Sequence, residues 1–153
     1  MYDRCLEHDF KCWKVPKFVK DPDELENVKR IIKAKFPILK EVYHFLISAS
    51  NFPGIKVEEF QKWILETGIG DEKKGVSLSD VNISYTSALF QEKQDAKERS
   101  NPEDRLCRFQ FLEAVVRLAK FKYFTNGMEK TFSGATLRMI RDNIAKFNFC
   151  DPW

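Results

Sequence analysis

The sequence predicts an all-α protein, and three observations support that fold class. Apolar residues recur at helical spacing in several separate segments, strand-like alternation of apolar and polar residues is almost absent, and Pro and Gly fall at segment ends. A chain of 153 residues is long enough for one domain with its own hydrophobic core. Its 14 Phe residues indicate that aromatic rings fill much of that core.

The composition excludes several classes of protein. A hydrophobic fraction of 43% and a charged fraction of 32% exclude an intrinsically disordered chain, and a net charge of +3 does not indicate nucleic-acid binding. No apolar run reaches the ~20 residues that a membrane span needs. Because residues 1–10 lack the apolar region of a signal peptide, we expect a cytoplasmic protein with four reduced thiols, those of Cys5, Cys12, Cys107 and Cys150.

Residues 1–20 are predicted to form an extended arm, followed by a helical domain at 21–149 and a short tail at 150–153. The arm shows no clear period, and Pro16 disfavours a helix. Between Lys11 and Lys40, nine basic residues against four acidic ones leave a charge of +5, which favours contact with an acidic protein surface. Aromatic and basic residues at the two termini are therefore the candidate partner-binding residues: Trp13, Phe18, Lys11, Lys14, Lys17, Lys20 and Trp153.

The helical domain begins with a clear start signal. Asp21 can cap a helix, Pro22 suits its first position, and Glu24 stands three residues after the cap. Pro37 ends or kinks this helix, and a second helix continues to about Ala49. A third helix is expected from Val57 to the glycines at 68 and 70, a fourth after a cap at Ser79 or Asp80, a fifth over 109–124, and a last one from about Gly134.

Two segments share a pattern of apolar and aromatic residues between helices. In Gly54–Phe60, Ile55 precedes Glu59-Phe60 by four residues, and in Leu106–Leu112, Leu106 precedes Gln110-Phe111 by the same interval. Each segment resembles the exit side of an EF-hand loop, which has an apolar residue at position 8, a Glu at position 12 and an aromatic residue at 13. The resemblance covers about residues 37–123, and it implies paired helix–loop–helix units in which Ile55 and Leu106 lie side by side.

The same resemblance argues against a bound calcium ion, because most ligand positions carry unsuitable residues. Positions 1, 3 and 12 of the first loop are Ser48, Ser50 and Glu59, with Pro53 in the usual Gly position. Calcium needs six to eight oxygen ligands, several of them charged. In the second loop, Arg99 stands at position 1, and positions 3, 5 and 12 carry Asn101, Glu103 and Gln110. We therefore expect no metal and no other cofactor in either of these degenerate loops.

Other chemistry receives weaker support. Cys5, His8 and Cys12 could contribute to a zinc site, although the usual C-x-x-C pairs are absent, and the alternative is an arm packed through its aromatic residues. With two His in the chain, no Cys–His or Ser–His arrangement can be identified, and no Gly-rich phosphate loop exists. We therefore expect a protein that is not an enzyme.

Two functions remain as hypotheses. The first is a non-catalytic protein–protein interaction or structural module, and the resemblance of Arg108–Ala119 to exit helices of such modules suggests a cytoskeletal or ciliary assembly. The second is a calcium sensor with unusual ligands. In either case, the helix patterns predict twelve mostly buried side chains: Val42, Phe45, Leu46, Phe60, Trp63, Ile64, Leu89, Phe111, Leu112, Val115, Leu118 and Ile140.

Overall fold

The computed structural model describes residues 2–51, 53–70, 76–90 and 104–145, with side chains described from residue 6 onward. These residues form α-helices without any strand, as the sequence predicts. None of the described helices is long and apolar enough to cross a membrane. The helices are α1 (Tyr2–Cys12), α2 (Pro22–Ala34), α3 (Phe36–Ala49), α4 (Val57–Glu66), α5 (Leu78–Leu89), α6 (Arg108–Ala119) and α7 (Phe132–Met139).

Local side-chain chemistry explains several helix ends. The Asp21 side chain accepts a hydrogen bond from the Asp23 N–H at the start of α2, as predicted. The cap of α5 is Ser77 rather than Ser79 or Asp80, because Ser77 and Asp80 bond to each other's backbone N–H groups in a capping box. The predicted single helices at 109–124 and from 134 each end in a π-helical turn, at Lys120–Phe124 and Ile140–Ile144.

The prediction of an extended N-terminal arm is wrong for residues 2–12, which form α1. Leu6, Asp9 and Trp13 lie on one helical face and are buried, and a 3₁₀ turn at Val15–Lys17 accommodates Pro16. The apolar period was hidden because the buried face includes Asp9. This carboxylate forms an ion pair with Arg108 of α6, which lies 99 residues later in the chain.

The hydrophobic core forms where α6 meets its neighbours, and it matches the predicted set with two exceptions. Leu89 is only half-buried. Phe45 is 38% exposed, because it lies about a quarter turn around α3 from the buried stripe of Leu39, Val42 and Leu46. Aromatic rings fill the centre, as the Phe content predicts: Phe111 lies 5.8 Å from the rings of both Tyr43 and Trp63.

The π-helical turns connect the ends of α6 and α7 to the end of α4. The buried Lys122 donates from Nζ to the carbonyl oxygens of Gly68 and Ile69, 3.1 and 3.2 Å away. The Tyr123 hydroxyl donates to Asn143 Oδ1, and Asn143 Nδ2 donates to the Thr67 carbonyl. A π turn rotates successive side chains relative to an α-helix. Lys122 therefore contacts the C-terminal end of α4 directly, and Tyr123 contacts it through Asn143.

Candidate functional site

The loop after α3 and the loop before α6 are joined by an isolated antiparallel bridge between Ile55 and Leu106. Each residue donates its N–H to the other's carbonyl oxygen at 3.0 Å, and both side chains are buried. The predicted proximity of these two residues is therefore confirmed. Gly54 permits the close approach, since a Cβ there would stand 2.7 Å from Arg105 Cβ and 2.9 Å from the Leu106 oxygen.

Two side chains reinforce the bridge from opposite sides. The Tyr85 hydroxyl, from α5, lies 2.7 Å from the carbonyl oxygen of Ile55 and 2.9 Å from that of Asp104, and its single proton serves either acceptor. Arg105 donates from Nη1 to the Ser50 carbonyl at 3.0 Å. The two loops are therefore held together by main-chain and side-chain hydrogen bonds of the protein itself.

In the first loop, the oxygen atoms at the candidate ligand positions are already engaged or point to solvent. Ser50 is buried, its Oγ accepts from the Lys56 N–H, and its carbonyl accepts from Arg105. Ser48 is exposed, and Glu59 is half-buried. Lys56 occupies loop position 9, where its positive charge would oppose a bound cation.

In the second loop, Gln110 connects the start of α6 to the end of α5. Its Oε1 accepts from the Cys107 N–H at 2.9 Å, and its Nε2 donates to the Leu89 carbonyl at the end of α5 at 3.1 Å. Gln110 is fully buried, and both its amide oxygen and its amide nitrogen have hydrogen-bond partners within the protein. The other candidate positions of this loop, Asn101 and Glu103, lie outside the described residues.

These donors do not fit a calcium ion. Calcium binding would require the Ser50 oxygens to exchange protein hydrogen bonds for the metal, while the first loop offers Glu59 as the carboxylate at a ligand position. One carboxylate is too few to offset the dehydration of a hard divalent cation. Hydrogen bonds within the protein therefore already engage the Ser50 oxygens and the Gln110 side chain.

Replacing Tyr85 by Phe should lower the free energy of unfolding by about 1–2 kcal/mol, because a buried carbonyl loses its donor. Burial, followed by the charge of Asp104, raises the pKa of Tyr85 above its ordinary value of 10.0. The hydroxyl therefore stabilises the fold below about pH 10, and this stabilisation is lost at higher pH, since the unfolded state ionises first. Urea denaturation from pH 7 to 11 should show the difference between wild type and Tyr85→Phe shrinking above pH 10; a constant difference would contradict the assignment.

Asp9 and Arg108 form the ion pair that fixes α1 to the start of α6. Arg108 Nε donates to Asp9 Oδ2 at 2.6 Å and Nη2 donates to Oδ1 at 3.2 Å, a two-point contact. Asp9 is 1% exposed, while the Arg108 side chain is 33% exposed. The carboxylate therefore depends on this guanidinium for compensation of its buried charge.

Lys14 and Glu113 form a second network, at the start of the 3₁₀ turn. The fully buried Glu113 accepts from the Lys14 N–H at 2.8 Å and from Arg117 Nε at 2.9 Å, with Lys14 Nζ at 3.7 Å. Burial raises the pKa of Glu113, while Lys14 and Arg117 oppose that shift. Lys14 Nζ also donates to the carbonyls of Ser87 and Phe90, so it binds the C-terminal end of α5.

The structure places the other candidate partner-binding residues in different environments. Trp13 is buried in the domain's own core, and its ring is tilted by 43° against that of Phe10, with ring centroids 4.8 Å apart. Phe18 is half-buried between the Arg117 guanidinium, 4.5 Å from its ring, and the ring of Phe132. The exposed lysines of this segment are Lys11, Lys17 and Lys20. Trp153 lies outside the described residues.

The possible zinc ligands lie on one face of α1. Cys12 Sγ is 3.7 Å from His8 Nε2, and burial raises the pKa of the Cys12 thiol, which disfavours the thiolate that binds metals. The Cys5 side chain is outside the described part of the structure. Among the described side chains, no group of three or more His, Cys, Asp or Glu residues could hold a metal ion.

The sequence interpretation did not identify the residues that complete these networks. Glu113 and Arg117 were not singled out, because a charged residue in a helix is usually solvated, and Asp9 was considered only as one possible further zinc ligand beside Cys5, His8 and Cys12. Only the helical phase of Glu113, within the apolar stretch Phe109–Ala119, could have indicated a buried carboxylate.

Searches against protein-family models, curated proteins and solved structures gave no match to this chain.

Proposed function

We propose that this chain is a non-catalytic protein–protein interaction or structural module, built on an EF-hand-like pair of loops that works without calcium. The observation that carries the proposal is the bridge between Ile55 and Leu106, which joins two loops that the sequence pattern relates to each other. Protein hydrogen bonds from Tyr85, Arg105 and Gln110 hold these loops in place. A scaffold closed in this way presents its surface constantly rather than in response to an ion.

A role in interaction is supported by large apolar side chains on the outside of α4 and α5. Leu65 and Leu78 are more than half exposed, and Ile83 and Phe90 extend the apolar area along α5. Exposed side chains of this size are typical of surfaces that contact other proteins. Membership of a cytoskeletal or ciliary assembly is a further prediction that rests on the resemblance of α6 alone.

Isothermal titration calorimetry with calcium tests the metal-independent scaffold. We expect no heat of binding at sub-millimolar calcium, and the same melting temperature in calcium and in EDTA, because a ligand that binds only the folded state would raise it. Magnesium is the control for weak, nonspecific binding of divalent cations. Saturable calcium binding that is lost in Glu59→Gln would contradict the proposal and favour the alternative, a calcium sensor with unusual ligands.

A further inference from the structure

A cleft of about 370 Å³ lies between the 3₁₀ turn, the end of α5 and α6. Two cations of the N-terminal segment meet Arg117 of α6 there, and the lining of the cleft consists of Lys14, Lys17, Thr86, Ser87, Phe90 and Arg117. Phe18 extends this surface, because the Arg117 guanidinium lies 4.5 Å and Lys120 Nζ 5.7 Å from its ring. The fold, rather than any local run of basic residues, creates this cationic surface.

The charge of this surface exceeds what its buried carboxylate neutralises. Glu113 lies beneath it and contacts Lys14 and Arg117, while Lys120 lies beside them. Among these four groups of the described chain, positive charge exceeds negative charge by two. Arg117 uses Nε for Glu113, and within the described part of the chain its Nη groups donate no hydrogen bond. Those Nη groups suit a carboxylate from another molecule.

An uncharged helical face continues from the cleft along the outside of α5. Ser79, Ile83, Thr86 and Phe90 share this face, opposite the buried Tyr85. Ile83 is 49% and Phe90 60% exposed, and residues 81–91 contain no charged residue. Since Thr86 and Phe90 also line the cleft, the apolar face and the cationic surface are continuous.

We propose that this combined surface binds an acidic amphipathic segment of a partner protein, an inference that rests on the interaction role proposed above. Carboxylates of the segment would contact Arg117 and Lys120, and its apolar side chains would cover Ile83 and Phe90. A polypeptide fits better than a nucleic acid, because half of the cleft lining is uncharged and an exposed apolar face of α5 continues from it. Lys14 contributes charge, while its ammonium group is bonded within the domain.

Fluorescence anisotropy with a synthetic peptide tests this surface. The probe is a labelled peptide of about the length of α5, with Glu and Asp on one helical face and Leu and Trp on the other; its twin carries Gln and Asn. We expect the acidic peptide to bind at least about tenfold more tightly than the twin, with affinity falling as salt rises. Equal binding of both peptides, or no binding of either, would overturn the proposal.

Matched variants localise the binding. Lys120→Glu and Ile83→Gln should each weaken binding of the acidic peptide about fivefold to tenfold, whereas Lys35→Glu, the same charge change at the exposed α2–α3 junction, should change it less than twofold. Thermal unfolding of each variant checks that the fold is retained. Equal weakening by Lys35→Glu, or tighter binding of a single-stranded oligonucleotide of the same net charge, would overturn the inference.

Photo-crosslinking in the source cell separates failure of this inference from failure of the proposed function. A photoreactive amino acid is placed at Thr86 in one version and at Lys35 in another. Crosslinks to a different protein from the Lys35 position, with none from Thr86, would overturn the binding surface and leave the interaction role standing. Crosslinks from Thr86 only to a second copy of this chain would also overturn it, and the absence of protein crosslinks at both positions would contradict both proposals.

Discussion

Replacing Phe111 by alanine is expected to lower the free energy of unfolding by roughly 3–5 kcal/mol, the cost of removing a large buried aromatic side chain. Phe111 is fully buried between the rings of Tyr43 and Trp63, each 5.8 Å away. The cavity would open between α3, α4 and α6, which support the paired loops. For a chain of this size, the melting temperature should fall by roughly 6–20 °C.

The matched control is Phe45→Ala, because Phe45 is the same residue type and is 38% exposed. The decrease in the free energy of unfolding should be much smaller in this variant, because the side chain of Phe45 buries less apolar area against the protein. Differential scanning calorimetry of the two variants gives the comparison. Equal destabilisation by the two substitutions would show that the assigned faces of α3 and α6 are incorrect.

Removing the Arg108 side chain is expected to lower the free energy of unfolding more than removing the charge of its partner, Asp9. Arg108→Met leaves the buried Asp9 carboxylate without its cation, which should lower the free energy of unfolding by roughly 3 kcal/mol. Asp9→Asn should cost only about 1 kcal/mol, because the remaining Arg108 side chain is one-third exposed and can be hydrated. Chemical denaturation of both variants measures the asymmetry.

The double variant Asp9→Leu with Arg108→Met supplies the control for this pair. Apolar residues of similar size often replace a buried ion pair with little loss, so this variant should recover to within about 1 kcal/mol of the wild type. If Arg108→Met proves no worse than Asp9→Asn, the carboxylate is not buried as described, and α1 is not fixed to α6 through this pair.

The sequence predicted most helices of the domain because their signals are local. The cap at Asp21, Pro22 in the first turn and the apolar faces of α3 and α6 require only neighbouring residues. α1 was missed because its buried face includes Asp9, and the residue that offsets this charge stands 99 positions away. A charged residue in an otherwise apolar stripe cannot be assigned to the core until its partner is known.

The pairing of the loops was predictable, whereas the surface around the cleft was not. Ile55 and Leu106 were matched through a repeated pattern, and the structure confirms that they are bridged. Lys14 and Lys17 belong to the same basic segment, yet Lys14 contacts Glu113 within the domain while Lys17 is exposed. Composition gives the sign of the charge, and only the packing of α5 against α6 determines which cations face outward.

The bridge between Ile55 and Leu106 also constrains the order in which this chain folds. The two residues are 51 positions apart, so closing the chain between them costs about 3.5 kcal/mol of entropy from the length-dependent term alone. The contacts of α4 with α5 span a much shorter stretch and can form before this closure. We therefore expect the docking of α6 to be the slow step of folding, and the first helix to dock onto α6 afterwards through the pair Asp9–Arg108.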